Sequence, residues 1–190
     1  MPKPTNIAKY RKRGKNKNIL AGGKARHRKG GDDNNRWMTP AAILEAVLAA
    51  FGGVIDLDPS TEPWNPTGAV RFFTQANSGL AKPWPPVRIW LNPEYSPIEP
   101  WIDHALEAER AGARIYMLVP VRTDAAYHHR LMAAATDVLF LKGRVKFMRL
   151  DGSSSGSPAF ASMIVGLGIS TRRLKLAGIV YVPTHLSEAA

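Results

Sequence analysis

Asn92-Pro93-Glu94-Tyr95 is the segment of this 190-residue chain best suited to chemistry on a planar nitrogen. It follows Val87-Arg88-Ile89-Trp90-Leu91, an apolar run that reads as a strand. It precedes Ser96-Pro97-Ile98-Glu99, which reads as a capping box with Pro at the first helical position. An amino nitrogen conjugated to an aromatic ring or a carbonyl is a poor nucleophile. The amide oxygen of Asn92 and the backbone carbonyl of Pro93 can accept both of its protons and orient it for in-line attack. Tyr95 offers a ring face on which a planar group can stack. Taken alone, these four residues favour a plain strand-to-helix turn with a packing tyrosine.

Asp56-Leu57-Asp58-Pro59 closes a second short strand, Val54–Asp58. An exposed carboxylate at a strand end, here Asp58, can pair with an ammonium group or with ribose hydroxyls, or can serve simply as a turn acid. Arg122-Thr123-Asp124 follows the nearly all-apolar strand Ile115–Val119, where Arg122 is placed to position a substrate and Asp124 to cap a helix. In Gly143-Arg144-Val145-Lys146-Phe147, Arg144 and Lys146 suit phosphate contact, and Arg144 equally suits an internal carboxylate. His128 and His129 are neighbours on a predicted helix and point to different faces, and His27, His104 and His185 are scattered, so no metal site is expected. No serine sits in a Ser-His-Asp arrangement. Gly152–Gly156 lacks the lysine and following helix of a phosphate loop. The absence of Cys excludes disulfides, thiolate zinc sites and a cysteine nucleophile.

The elements that must position these groups alternate strand and helix. Thr39-Pro40 reads as N-cap and first helical residue, followed by Ile43, Leu44, Val47, Leu48 and Phe51 on one face and a stop at Gly52-Gly53. Residues 60–86 read as irregular and Pro-rich. The helix after Ser96 buries Ile98, Trp101, Ile102, Ala105 and Leu106, and ends at Gly112. A helix over Asp124–Ala135, then strands at Val138–Leu141, Val145–Met148, Phe160–Gly166 and Ile179–Val182, complete the reading. The pattern predicts an α/β sheet, mostly parallel, with an antiparallel edge. Ligands in such sheets sit at the carboxyl ends of the strands, where both candidate segments lie.

Charge divides the chain. Of its 26 Lys and Arg, eleven fall in residues 1–31, which contain no acid. The remaining fifteen balance the fifteen Asp and Glu. Residues 1–35 have no apolar periodicity and are expected to form a disordered basic arm, with Arg11, Lys12, Arg13, Lys15, Arg26 and Arg28 contacting phosphates without sequence specificity. Residues 36–190 form the folded domain. No apolar stretch is long enough to span a membrane, and the basic start lacks the apolar run of a secretory signal, so a cytoplasmic protein is expected.

Several segments, in order, carry a resemblance. They are Arg36-Trp37-Met38-Thr39-Pro40, Ile55-Asp56-Leu57-Asp58-Pro59-Ser60, Gly79-Leu80 with Trp84, and Trp90-Leu91-Asn92-Pro93-Glu94-Tyr95-Ser96. Trp101, Leu118-Val119-Pro120-Val121-Arg122-Thr123-Asp124, Gly143-Arg144-Val145-Lys146-Phe147 and Ala159-Phe160-Ala161-Ser162 complete the set. In this series the chain resembles the phage-type, Dam-like DNA N6-adenine methyltransferases. The resemblance implies a Rossmann-like fold and S-adenosylmethionine as methyl donor, surrounded by Trp37, Thr39, Pro40, Asp56, Asp58 and Pro59. It implies catalysis at Asn92, Pro93, Glu94 and Tyr95 and a double-stranded DNA partner also met by Arg122, Arg144 and Lys146. The enzyme is expected to be a monomer without metal, in a bacterial or phage-infected cell. Two departures stand out. Asn77-Ser78 replaces an acid before Gly-Leu, and Glu94 replaces the second Pro of Asn/Asp-Pro-Pro-Tyr, which is expected to weaken activity without abolishing it. A fold that has lost catalysis and binds DNA or RNA is the main alternative. A protein-glutamine methyltransferase, which activates a planar amide nitrogen in the same way, is the lesser one.

Overall fold

The computed structural model describes residues 37–147 and 158–183. The basic-arm residues 1–35, the Gly/Ser loop 151–157 and Met148 lie outside the described residues. Ten elements follow in chain order: α1 (Ala41–Ala50), β1 (Leu57–Asp58), β2 (Arg71–Phe72), β3 (Arg88–Leu91), α2 (Glu99–Arg110), β4 (Arg114–Pro120), α3 (Ala126–Ala134), β5 (Asp137–Leu141), β6 (Ser162–Leu167) and β7 (Gly178–Tyr181). Short 3-10 turns occupy Gln75–Asn77, Gly79–Ala81 and Thr171–Leu174.

The strands form one sheet in the order β2-β1-β3-β4-β6-β5-β7. β1 is parallel to β2 and β3, and β3 to β4. β6 runs antiparallel to both β4 and β5, and β7 antiparallel to β5. Five strands therefore share one direction. The mixed α/β architecture is compatible with a Rossmann-like fold. The antiparallel edge is present as β7, but β6 is a second reversed strand inside the sheet, between β4 and β5.

Strict alternation explains why both faces are covered. Ile89 and Leu91 of β3, Ile115, Met117 and Val119 of β4, and Met163, Val165 and Leu167 of β6 pack with α2 and α3. Trp90, Tyr116, Leu118 and Ile164 point the other way, toward α1. Near-continuous apolar runs are what a sheet buried on two faces requires. α2 buries Trp101, Ile102, Ala105 and Leu106, as its spacing predicts. α1 buries Ile43 and Val47 and stops where Gly52 and Gly53 adopt positive φ, 77° and 92°.

Several local expectations change. Pro40, not Thr39, is the N-cap of α1, with no side-chain cap. The Thr39 hydroxyl is engaged elsewhere, as described below. α2 starts at Glu99 with Ile98 as N-cap and Pro100 in its first turn, so the expected capping box at Ser96 does not form. The strand expected over Val145–Met148 is absent at Val145–Phe147, which are anchored by burial and not by strand pairing. The irregular stretch 60–86 contains β2, a two-residue strand too short to leave a periodic signal.

Gly79 sits where the chain after β2 folds back onto the end of β1. A Cβ there would lie 2.1 Å from the Pro59 carbonyl oxygen, a backbone atom that no rotamer change can move. Gly79→Ala is expected to destabilise the protein by about 2 kcal/mol. A thermal melt should show a fall of about 4–8 °C.

Candidate active site

β1 and β3 are neighbours in the sheet; β1 ends at Asp58 before Pro59, and β3 is followed by Asn92-Pro93. Pro cannot continue the ladder, so both chains turn away at the same end of the sheet. A cleft of about 200 Å³ opens between them. Its walls are Trp37, Met38 and Thr39 before α1, Leu44 of α1, residues 58–62 after β1, residues 74–80 in part, and Asn92, Pro93 and Glu94 after β3.

Asn92 is held from two sides. Its Nδ2 donates to the Trp37 carbonyl at 2.6 Å and to Thr39 Oγ1 at 3.1 Å. Its Oδ1 accepts from the Tyr95 hydroxyl at 2.9 Å. These partners fix which end of the amide is oxygen. Oδ1 has two lone pairs, and Tyr95 occupies one. Thr39 thus gives up its helix-capping role because its hydroxyl serves Asn92.

Tyr95 is half-buried, with its ring edge-on to Phe160 at 5.7 Å and to Phe147 at 6.5 Å. It presents its hydroxyl to the site through Asn92, and its ring is not part of the cleft wall. Burial holds its phenol well above the ordinary tyrosine range, so it acts as a neutral hydrogen-bond donor.

Asp58 does reach the cleft, but it is buried where the sequence suggested exposure. Oδ1 accepts from the Ser60 N–H at 3.1 Å and Oδ2 from the Thr67 hydroxyl at 2.8 Å. Thr67 Oγ1 also lies 3.3 Å from Asn65 Oδ1, and Asn65 in turn bonds the Ala69 backbone in both directions. Asp58 therefore organises the loop over residues 60–70 as well as the wall. Burial pushes its carboxyl up to about 6, against the lowering effect of those donors.

Asp56 and Pro40 are not brought to the cleft. Asp56 pairs with Arg88 through Nε at 2.7 Å and Nη2 at 2.9 Å, and Arg88 Nη1 donates to the Phe51 carbonyl at 2.8 Å. That pairing holds the Asp56 carboxyl below its usual range. It ties the end of α1 to β1 and β3. Pro40 lies in a separate groove with Arg144 and Lys146, both exposed. Arg122 is exposed just past the end of β4. Arg11, Lys12, Arg13, Lys15, Arg26 and Arg28 lie outside the described residues.

Among the described residues, Asp58, Glu62 and Glu94 line the cleft and no Lys, Arg or His does. Glu62, buried in its wall, left no sequence signal because it sits in the Pro-rich stretch. Trp90 and Trp101 also line it and read in sequence as core. Ser78 lines the same cleft as Glu94. Among the described residues, no group of three or more His, Asp or Glu could hold a metal ion, and no helix is long and apolar enough to cross a membrane.

Residues 27–174 match the family of DNA N-6-adenine-methyltransferase (Dam). This chain belongs to that family. A curated relative, the DNA N-6-adenine-methyltransferase of Escherichia phage T1, is 24% identical over 156 residues. The alignment covers 80% of this chain and 63% of the relative, so the chain spans less than two thirds of that protein's length. The family match includes every wall of the cleft.

The raised Asp58 carboxyl has a consequence for stability. Ionising Asp58 opposes folding, so its contribution is full below about pH 4 and lost as pH rises through about 6. Asp58→Asn has no such titration. The melting temperature of wild type minus that of the variant is expected to fall between about pH 4 and 6 and to level off above about 7.

Proposed function

We propose that this chain transfers a methyl group from S-adenosylmethionine to the N6 amino group of adenine in DNA. The observation that carries this reading is that one cleft gathers Asn92 and Pro93, able to take an amino group, with Thr39, Asp58 and Pro59 beside them. Family membership supports adenine as the target base.

The lining suits the donor. The carboxylates of Asp58 and Glu94 in its wall favour a molecule that carries a sulfonium and an ammonium charge, and disfavour a phosphate-bearing nucleotide. Trp37, Leu44 and Leu80 supply apolar surface for a planar base. When bound, S-adenosylmethionine supplies an electrophilic methyl carbon.

The chain's own residues do the rest. The target adenine leaves the base stack to reach a cleft this narrow. The open lone pair of Asn92 Oδ1 accepts one N6 proton, and the Pro93 carbonyl accepts the other. With Nδ2 tied to Trp37 and Thr39, the amide cannot turn and present a competing donor. Tyr95 holds the same oxygen from behind. Glu94 favours the positive charge that the nitrogen acquires on methylation, while repelling backbone phosphate. The basic arm, with Arg11, Lys12, Arg13, Lys15, Arg26 and Arg28, holds the duplex through nonspecific phosphate contacts.

The test is methyl transfer from labelled S-adenosylmethionine to unmethylated, mixed-sequence duplex DNA. Wild type should produce N6-methyladenine, and Asn92→Ala should lose at least about a hundredfold in rate. A chain that binds the duplex but moves no label is a binding protein on a methyltransferase fold, and the proposal fails. In the same assay Glu94→Pro is expected to raise the rate; an unchanged rate removes the role given to that carboxylate.

A further inference from the structure

The near-neutral body of the chain hides a strong polarity. Residues 37–137 carry seven Lys and Arg against eleven Asp and Glu. Residues 138–190 carry seven against two. Three of those cations, Lys142, Arg144 and Lys146, come together around a groove that also includes Pro40 and Ile43 at the start of α1.

The connection after β5 builds this surface by alternation. Val145 and Phe147 are buried, which forces Arg144 and Lys146 outward. The Lys142 N–H donates to the Ala177 carbonyl at 2.9 Å and pins the start of the segment. Arg144 donates through one Nη to the Pro158 carbonyl at 3.1 Å. No acid among the described residues lines the groove. Among the described residues, none of the three cations is in an ion pair.

The groove is separate from the cleft but adjoins it: Thr39 lines one and Pro40 the other. Phe147, next to Lys146, lies 5.5 Å from Trp37 and 6.5 Å from Tyr95 between ring centroids. β5 runs in the same direction as β3, so Lys142 and Asn92 emerge at the same end of the sheet. Between them lie β4 and β6, three inter-strand spacings or about 14 Å. Along a duplex, at about 3.4 Å per step, that is about four steps. Arg122, past the end of β4, falls between.

We infer that Lys142, Arg144 and Lys146 form a docking surface for the phosphate backbone of duplex DNA, about four nucleotides to one side of the adenine held at Asn92. This deepens the proposed function and rests on it for the position of the target base. It adds Lys142 and gives the duplex a direction across the sheet end. The acidic cleft excludes phosphate, and the basic groove beside it attracts phosphate.

The experiment uses the full chain and a triple variant, Lys142→Gln with Arg144→Gln and Lys146→Gln. Duplex affinity is measured across a series of NaCl concentrations. Each lost phosphate contact removes about 0.9 from the slope of log affinity against log salt, so the variant should be shallower by up to about 2.7. Its melting temperature and its affinity for S-adenosylhomocysteine should stay at wild-type values. On a duplex that becomes methylated, ethylating phosphates about four nucleotides to one side of the modified adenine should impede wild type and not the variant. An unchanged salt slope, or ethylation that impedes both proteins alike, overturns the inference. A shallower slope in a protein that transfers no methyl group keeps the docking surface and rejects the catalytic reading. Methylation with an unchanged slope does the reverse.

Discussion

The two hydrogen bonds from Asn92 Nδ2, to the Trp37 carbonyl and to Thr39 Oγ1, join parts of the chain more than fifty residues apart. Almost everything at the cleft depends on them. They bring the segment before α1 against the end of β3, which closes one wall. They set the orientation of the amide, which decides whether the site presents an acceptor or a donor. They also explain why α1 begins without a side-chain cap. A neutral side-chain hydrogen bond contributes only about 1 kcal/mol net. Here its value lies in direction more than in stability.

Elements whose signal is local were legible in the sequence. β3, β4 and α2 follow from apolar runs and spacing, and Gly52-Gly53 stops α1 where expected. Asn92-Pro93-Glu94 was recognisable because a polar pair after an apolar strand must sit at a sheet end. What escaped the sequence depends on distant partners. Asp56 looked like a site acid beside Asp58, but Arg88, on the adjacent strand, claims it. Asp58 looked exposed, but Thr67 folds back over it and its carboxylate becomes half framework. Tyr95 looked like a stacking platform, but Phe147 and Phe160 arrive from far along the chain to pack its ring. β2 has two residues, and no periodicity can be read from two.

The two departures from the family pattern acquire a common address. Ser78 and Glu94 line the same cleft. Asp58 and Glu94 in the cleft stand near Lys142, Arg144 and Lys146 in the adjoining groove, so opposite charges lie a short distance apart. In water such charges act over about a Debye length, 8 Å at physiological ionic strength. If the proposed donor and duplex both bind, their opposite charges would sort them at that distance, before either makes contact.

The insertion of β6 between β4 and β5 sets an order of assembly. The chain emerges with β4 and β5 complete while the strand that belongs between them has yet to be made. Until residues 162–167 are synthesised, the apolar edge of β4 has no neighbour on that side and β5 has nothing to join. The half of the sheet that carries Asn92 can pair from β2 through β4 on its own. The half that carries the basic groove can dock only when the last third of the chain has been translated. A nascent chain halted before Leu167 would therefore hold the cleft's strands without the surface beside it, and would expose β4 as a sticky edge.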